Sequence, residues 1–113
     1  MADELDDGGG NYVDTTDAPL ASNWQYVSVV YDGSLAAASR LAIYVDGVKS
    51  ATTVTGGTIP TSLTSATANL EIGQWEGLTR NFGGNIASVS LYTRALTVAE
   101  VLQNYHATKW RFQ

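Results

Sequence analysis

The stretch from Trp24 to Tyr105 contains, in order, Val27-Ser-Val-Val-Tyr-Asp-Gly33, Leu41-Ala-Ile-Tyr-Val-Asp-Gly47, Leu70-Glu-Ile-Gly73, Phe82-Gly-Gly-Asn-Ile86 and Leu91-Tyr-Thr-Arg-Ala-Leu-Thr-Val-Ala-Glu-Val101. Short apolar runs that end in glycine predict β-strands joined by tight turns. The last run predicts a final strand followed by a short helix. An all-β chain with one C-terminal helix is therefore expected.

The second of these runs predicts a β-hairpin. Leu41, Ile43 and Val45 alternate with less apolar residues, which places them on one face of a strand. Asp46 and Gly47 both tolerate positive φ and suit a two-residue turn. We expect the chain from Val48 to Val54 to return as an antiparallel strand.

The run before the hairpin predicts a strand that is apolar on both faces. Over residues 24–31, apolar or aromatic side chains occupy both alternating sets of positions. Such a strand is expected at the centre of a sheet, covered on both sides. Trp24, which opens it, is predicted to lie in the core.

The remaining elements follow from turn residues and alternation. We predict a strand at 11–16, a surface loop at 52–67 with a short edge strand at 58–59, a strand at 68–73, a loop at 74–81 and a strand at 85–93 with a bulge near Ala87.

A capping box predicts where the helix begins. In Thr97-Val-Ala-Glu100 the threonine hydroxyl can accept from the amide of Glu100, and the glutamate can accept from the amide of Thr97. Apolar residues then recur at i, i+3, i+4 and i+7, as on one side of an amphipathic helix. These residues are Val98, Val101, Leu102 and Tyr105.

Composition limits the class of protein. The chain has 113 residues, which is enough for one domain, no cysteine and a net charge of −5. An acidic chain with scattered basic residues is unsuited to nucleic acid. No apolar run approaches the roughly 20 residues of a membrane span, and the acidic N-terminus does not resemble a signal peptide.

Residues 1–10 differ from the rest of the chain. Four acidic residues and three glycines occur there, with little apolar surface to bury. We interpret residues 1–10 as a solvated tail, with cation chelation as the alternative, and residues 11–113 as a single, shortened domain.

The ordered combination of these motifs resembles the LamG-like jelly rolls, the laminin G and pentraxin type of the concanavalin A-like lectin/glucanase superfamily. The resemblance covers about 80 residues and is similar to the C-terminal half of such domains. It implies an antiparallel β-sandwich that binds ligands and usually catalyses no reaction.

The sequence contains no motif for catalysis. Glucanases of this superfamily carry Glu-x-Asp-x-x-Glu on one strand, since hydrolysis needs two carboxyl groups beside one sugar bond. Here Glu71 and Glu76 are separated by Gly73 and Gln74, without the intermediate carboxylate. The single His106 lies near the predicted helix end, where a cationic side chain interacts favourably with the helix dipole. We therefore expect no enzyme activity.

A tryptophan in a polar loop indicates carbohydrate binding. Aromatic rings pack against sugar C–H groups, while amides and charged groups bind hydroxyls. Trp75 lies in the predicted loop, and Gln74, Glu76, Arg80 and Asn81 flank it. In the alternative interpretation, Trp75 only covers the end of the sandwich.

The resemblance to pentraxins also suggests a calcium site in this loop. The family supplies carboxylates after the Ile/Leu-Gly-Gln strand, whereas Trp75 and Gly77 occupy the corresponding positions here. Glu76 is the one candidate metal ligand. Calcium takes six to eight oxygens, so we do not expect an intact site and predict no cofactor.

Two functions agree with this sequence. One is a lectin-like module that binds a glycan or a glycosylated surface. The other is a structural protein, because the chain end at 100–112 resembles LamG-like domains of phage structural and bacterial surface proteins. Both imply an extracellular or virion surface location.

Half a jelly roll leaves edges uncovered, so we expect a homo-oligomer. The alternative is a minimal sandwich closed by the helix and by Trp110 and Phe112.

Overall fold

The computed structural model describes residues 12–15, 23–63, 70–75 and 80–112. The chain divides into two compact units, Met1–Leu63 with Arg94–Gln113, and Thr64–Thr93. Within these residues all strand pairs are antiparallel, and one α-helix follows them near the C-terminus. The prediction of an all-β sandwich with one C-terminal helix is confirmed.

The described part of the first unit contains five strands in two sheets. Strands β1 (Tyr12–Thr15) and β5 (Thr52–Thr55) form one sheet, with Val13 opposite Val54. Strands β2 (Val27–Tyr31), β3 (Leu41–Val45) and β4 (Val48–Lys49) form the other in the order β2-β3-β4. A 3₁₀ turn, Ala37–Ser39, lies between β2 and β3.

The predicted hairpin is confirmed at its turn. Asp46 and Gly47 have φ of 52° and 80°, and Val45 pairs with Val48 across them. The predicted return strand from Val48 to Val54 is wrong in length. It breaks after Lys49, and the chain continues as β5 in the other sheet. This crossover connects the two layers of the sandwich.

Strand β3 is the centre of the fold. Its first four residues are all buried, so side chains on both faces are covered. On one face Leu41 and Ile43 pack with Ile59, while Tyr31 and Val54 lie against them. On the other face Ala42 and Tyr44 pack with Val101 of the helix. One face of β3 therefore packs against the second layer of the sandwich, and the other face packs against the helix.

The prediction that the 24–31 strand is central is wrong. Strand β2 begins at Val27 and lies at the edge of its sheet among the described strands, with Val27 and Val29 exposed by 39% and 43%. The prediction of Trp24 as a core residue is also wrong. Trp24 is 48% exposed and packs on Phe112, with 5.4 Å between ring centroids. Alternation identifies two apolar faces but cannot tell whether a second layer covers both.

Several other strand predictions are wrong. The segment at 52–55 is a strand rather than loop, because β1 pairs with it, and Ile59 is a buried core residue outside any strand. Residues 70–73 and 85–93, all described, contain no strand. Val89 and Leu91 are 53% and 70% exposed, so the alternation at 85–93 does not correspond to a buried face. Residues 68–69 lie outside the described part.

The predicted capping box is confirmed and begins helix α1 (Val98–Thr108). The amide of Glu100 donates to Thr97 Oγ1 at 3.3 Å, and the amide of Thr97 donates to Glu100 Oε2 at 2.8 Å. Of the predicted apolar set, Val101 is fully buried, whereas Val98 is 59% exposed. A 3₁₀ turn, Lys109–Arg111, continues the chain.

Protonation of Glu100 is expected to weaken this helix start. Hydrogen bonding from Arg94, at 2.6 Å, and from Thr97 lowers the pKa of Glu100 from 4.5 to about 2. Because the pKa is lower in the folded state, ionised Glu100 stabilises the fold at pH values above the unfolded-state pKa of 4.5. This contribution is lost as the pH falls from 4.5 towards 2.

We expect the difference in Tm between the wild type and Glu100→Gln to shrink over this pH range and to vanish near its lower end. Circular dichroism melts from pH 7 to pH 2 measure it. Because Asp32 titrates in both proteins, its contribution cancels in the difference. A difference that stays constant with pH would contradict the assignment.

Candidate functional site

The predicted glycan-binding residues belong to a short hairpin in the second unit. Strands β6 (Gln74–Trp75) and β7 (Arg80–Asn81) are antiparallel, with Gln74 opposite Asn81 and Trp75 opposite Arg80. The amide of Phe82 donates to the carbonyl of Gly73 at 2.8 Å and extends the pairing. Four of the five predicted residues therefore occupy neighbouring ladder positions.

The prediction that residues 74–81 form a loop is wrong at both ends. Gln74, Trp75, Arg80 and Asn81 lie in strands because their backbones pair with each other. Successive pairs of a ladder occupy opposite sides of it. The register thus separates the Gln74–Asn81 pair from the Trp75–Arg80 pair, a division that the sequence alone does not reveal.

Apolar side chains accompany these polar residues. A Cβ added to Gly73 would lie 3.0 Å from Ile86 Cδ1 and 3.9 Å from Phe82 Cβ, so both side chains approach the start of the hairpin. Phe82 and Ile86 are 46% and 49% exposed, while Gln74 and Asn81 are also exposed. Amides beside accessible apolar groups are the mixture that a sugar requires.

The predicted metal ligand Glu76 belongs to residues 76–79, which are outside the described part of the chain. Within the described ranges no group of three or more histidine, cysteine, aspartate or glutamate residues could hold a metal ion. The calcium prediction therefore stays a prediction.

Three carboxylates of the first unit have structural partners. Ser34 donates its hydroxyl and its amide to Asp32, which lowers the pKa of that carboxyl. The amide of Tyr26 donates to Asp46 Oδ1 at 2.9 Å, which fixes the chain before β2 to the hairpin turn. Glu100 caps the helix. A glycosidase needs two carboxyl groups free to reach one bond, with the acid's pKa raised. These three side chains do not provide that arrangement.

A cleft of about 360 Å³ lies on the helix side of the β2–β3–β4 sheet. Its floor includes Val30 and Tyr44, and Leu35 and Leu96 line it from two loops. Its volume falls within the range of small-molecule sites. Tyr44 is only 5% exposed, however, so its ring offers no open face for a sugar. We therefore do not assign glycan binding to this cleft. Residues from separate segments of the chain line it, so the sequence alone does not predict it.

The other predicted features of the C-terminal part also have defined positions. His106 lies in the last turn of α1, where it is exposed, and its ring is 5.3 Å from that of Tyr105. Trp110 is 67% exposed and donates to the carbonyl of Ala107 at 2.9 Å. Phe112 packs back on Trp24. The residues after the helix thus contribute the ring of Phe112 to the fold and leave that of Trp110 accessible.

Comparisons with known proteins agree with this architecture. A laminin G-type family model of the concanavalin A-like lectin/glucanases superfamily matches residues 3–102. A crystal structure of an S-layer domain-containing protein from Clostridium thermocellum is similar, with a TM-score of 0.55 and 14% sequence identity. The similarity covers 85% of this chain and 52% of that one, so this chain spans about half its length. At this identity the likeness shows the fold alone.

No curated protein matches the sequence. Among the described residues, no helix has both the length and the apolar character needed to cross a membrane.

Proposed function

Because the chain belongs to the concanavalin A-like lectin/glucanases superfamily, we propose that it is a non-catalytic, lectin-like module that binds glycans at a cell or virion surface. The observation that carries the proposal is the β6–β7 register, which places Gln74, Trp75, Arg80 and Asn81 at neighbouring positions. The Trp75–Arg80 pair, at one side of the ladder, brings an indole and a guanidinium, which are stacking and hydrogen-bonding groups that sugars use, and the amide pair Gln74–Asn81 lies at the other side.

The proposal includes no chemical step. Asp32, Asp46 and Glu100 accept hydrogen bonds that stabilise turns and the helix start. Carboxylates that hold turns and a helix start in this way support a module that recognises its ligand. We also propose that binding is independent of calcium, since Glu76 is the one acidic residue in 73–77.

Replacing Trp75 by alanine is expected to weaken glycan binding about tenfold or more, because tryptophans at the centre of a binding site often contribute over 1 kcal/mol. A glycan array identifies the ligand, and titration calorimetry with and without a chelator measures the affinity. Trp110→Ala is the matched control, since it removes an exposed tryptophan from the first unit. Equal loss in both variants, or none in Trp75→Ala, contradicts the assignment of the site.

A structural role on a virion or cell surface is the second candidate function. Strand β2 favours it, since β3 is its one neighbour among the described strands, and an edge strand can pair with another chain. In this role the protein assembles with copies of itself. Self-association without binding to any glycan on the array would support this function over the first.

A further inference from the structure

A buried hydroxyl at the cleft on the helix side of the sheet has no partner among the described residues. Tyr44 lines this cleft and is 5% exposed, in a cluster with Ala42 and Val101. Within the described part of the chain its hydroxyl makes no hydrogen bond. A buried tyrosine hydroxyl normally finds a partner. The cleft is the empty space next to this side chain, so a bound molecule can supply the missing acceptor.

A lysine lies beside this tyrosine on the same side of the sheet. The β3–β4 register places Lys49 directly opposite Tyr44, and directly opposite residues project to one face with their Cβ atoms about 5 Å apart. Lys49 also lines the cleft, and none of the described carboxylates forms an ion pair with it. An ammonium group only donates hydrogen bonds. A ligand shared by these two side chains must therefore be an acceptor.

Next to these two donors the cleft is apolar. Val30 pairs with Ala42 in the β2–β3 ladder, and both line the cleft together with Leu96. Ala42 precedes Tyr44 by two residues, which is about 7 Å along a strand. A ligand that reaches the Tyr44 hydroxyl can therefore place an apolar body of about this length over Ala42.

The charges around the cleft favour an anion. Arg40 and Lys49 line it, with Asp32 as the one acidic residue of the described lining, although the whole chain has a net charge of −5. Ser34 already donates its amide and its hydroxyl to Asp32, at 3.0 and 2.6 Å. Arg40 donates to two backbone carbonyls, which hold its guanidinium in place. Lys49 is therefore the cation that is left for a ligand.

We propose that this cleft binds a small organic anion, a carboxylate on an apolar body, whose oxygens accept from the Tyr44 hydroxyl and the Lys49 ammonium. A hydrogen bond with an ionised donor or acceptor is roughly twice as strong as a neutral one. The apolar body packs on Val30, Ala42 and Leu96. The occupant is a free small molecule, because a volume of about 360 Å³ is at the lower end of the range of small-molecule sites. The proposal uses no residue of the β6–β7 hairpin, so it is independent of glycan binding there.

Phenylacetate is the probe, and saturable shifts of the Val30, Ala42 and Leu96 amides in NMR spectra measure its binding. The wild type is expected to bind it with a Kd of about 1 mM or below. Tyr44→Phe, which keeps the ring, and Lys49→Gln are each expected to raise this Kd about fivefold or more. The uncharged analogue phenylacetamide is expected to bind the wild type about fivefold more weakly or worse.

Lys109→Gln is the matched control for the lost charge, because Lys109 lies outside the described lining of the cleft. It is expected to bind phenylacetate like the wild type. No saturable shift with phenylacetate up to about 20 mM, or equal Kd values for Lys49→Gln and Lys109→Gln, would overturn the proposal.

The stability of the unliganded protein gives a second readout. Because the Tyr44 hydroxyl has no described partner, Tyr44→Phe is expected to change Tm by less than about 2 °C. The Tyr31 hydroxyl donates to the carbonyl of Pro60 at 2.8 Å, so Tyr31→Phe is the control and is expected to lower Tm by about 4 °C. An equal loss of Tm in the two variants would give the Tyr44 hydroxyl a partner within the protein and overturn the assignment.

Discussion

Replacing Ile43 by alanine is expected to lower the free energy of unfolding by about 2–5 kcal/mol. Ile43 is fully buried in the middle of β3, between Leu41 and Ile59 on the face that meets the second sheet. Removing three carbons there leaves a cavity, because the surrounding side chains relax only partly. Domains of this size are stable by about 5–15 kcal/mol, so the loss is a large fraction of the total.

Urea unfolding followed by circular dichroism measures this effect as a shift of the midpoint at constant slope. Ile43→Val is the matched control, since it removes one methylene and is expected to cost about 0.5–1.5 kcal/mol. A cost below about 1 kcal/mol for the alanine variant would mean that the two layers are not packed against each other at this residue.

Replacing Gly33 by alanine is expected to destabilise the protein by about 3 kcal/mol, because overpacking forces the backbone to move. A Cβ at this position would overlap the carbonyl oxygen of Thr61 and lie 2.9 Å from its carbon. The obstacle is backbone, so no side-chain rotation relieves it. The same segment carries buried Ile59, and Tyr31 donates to its Pro60 carbonyl at 2.8 Å.

Gly83→Ala is the control for this substitution. A Cβ there would have no neighbour within 4 Å, so the change is expected to stay within about 0.5 kcal/mol. Thermal unfolding of the two variants separates steric overlap from the general effect of replacing glycine. Equal stability of both variants would show that the segment carrying Ile59 does not approach Gly33 this closely.

These substitutions address the scaffold, whereas Trp75→Ala addresses recognition. Ile43 and Gly33 are in the first unit, and Trp75 is in the second. Comparing glycan binding by Ile43→Val and Trp75→Ala therefore separates a loss of stability from a loss of contact.

Local chemistry made part of the candidate site predictable. An indole beside amides and an arginine is visible in the sequence 74–81, and it directed attention to this segment. The β6–β7 register was not predictable, since two-residue strands are too short for alternation to appear. The place of β2 in its sheet was missed for a related reason: its valines predict a central strand, and only the order of the described strands shows that β3 is its one neighbour among them.

The sequence by itself determined the Asp46–Gly47 turn and the capping box at Thr97, because each depends on dihedral preferences and hydrogen bonds within four residues. It also determined the family, through the order of its motifs. Only the tertiary structure decided which of the described strands is central, that Ile59 belongs to the core and that Trp24 lies on Phe112. These outcomes depend on contacts between residues distant along the chain, where burial is a property of the neighbours and not of the residue itself.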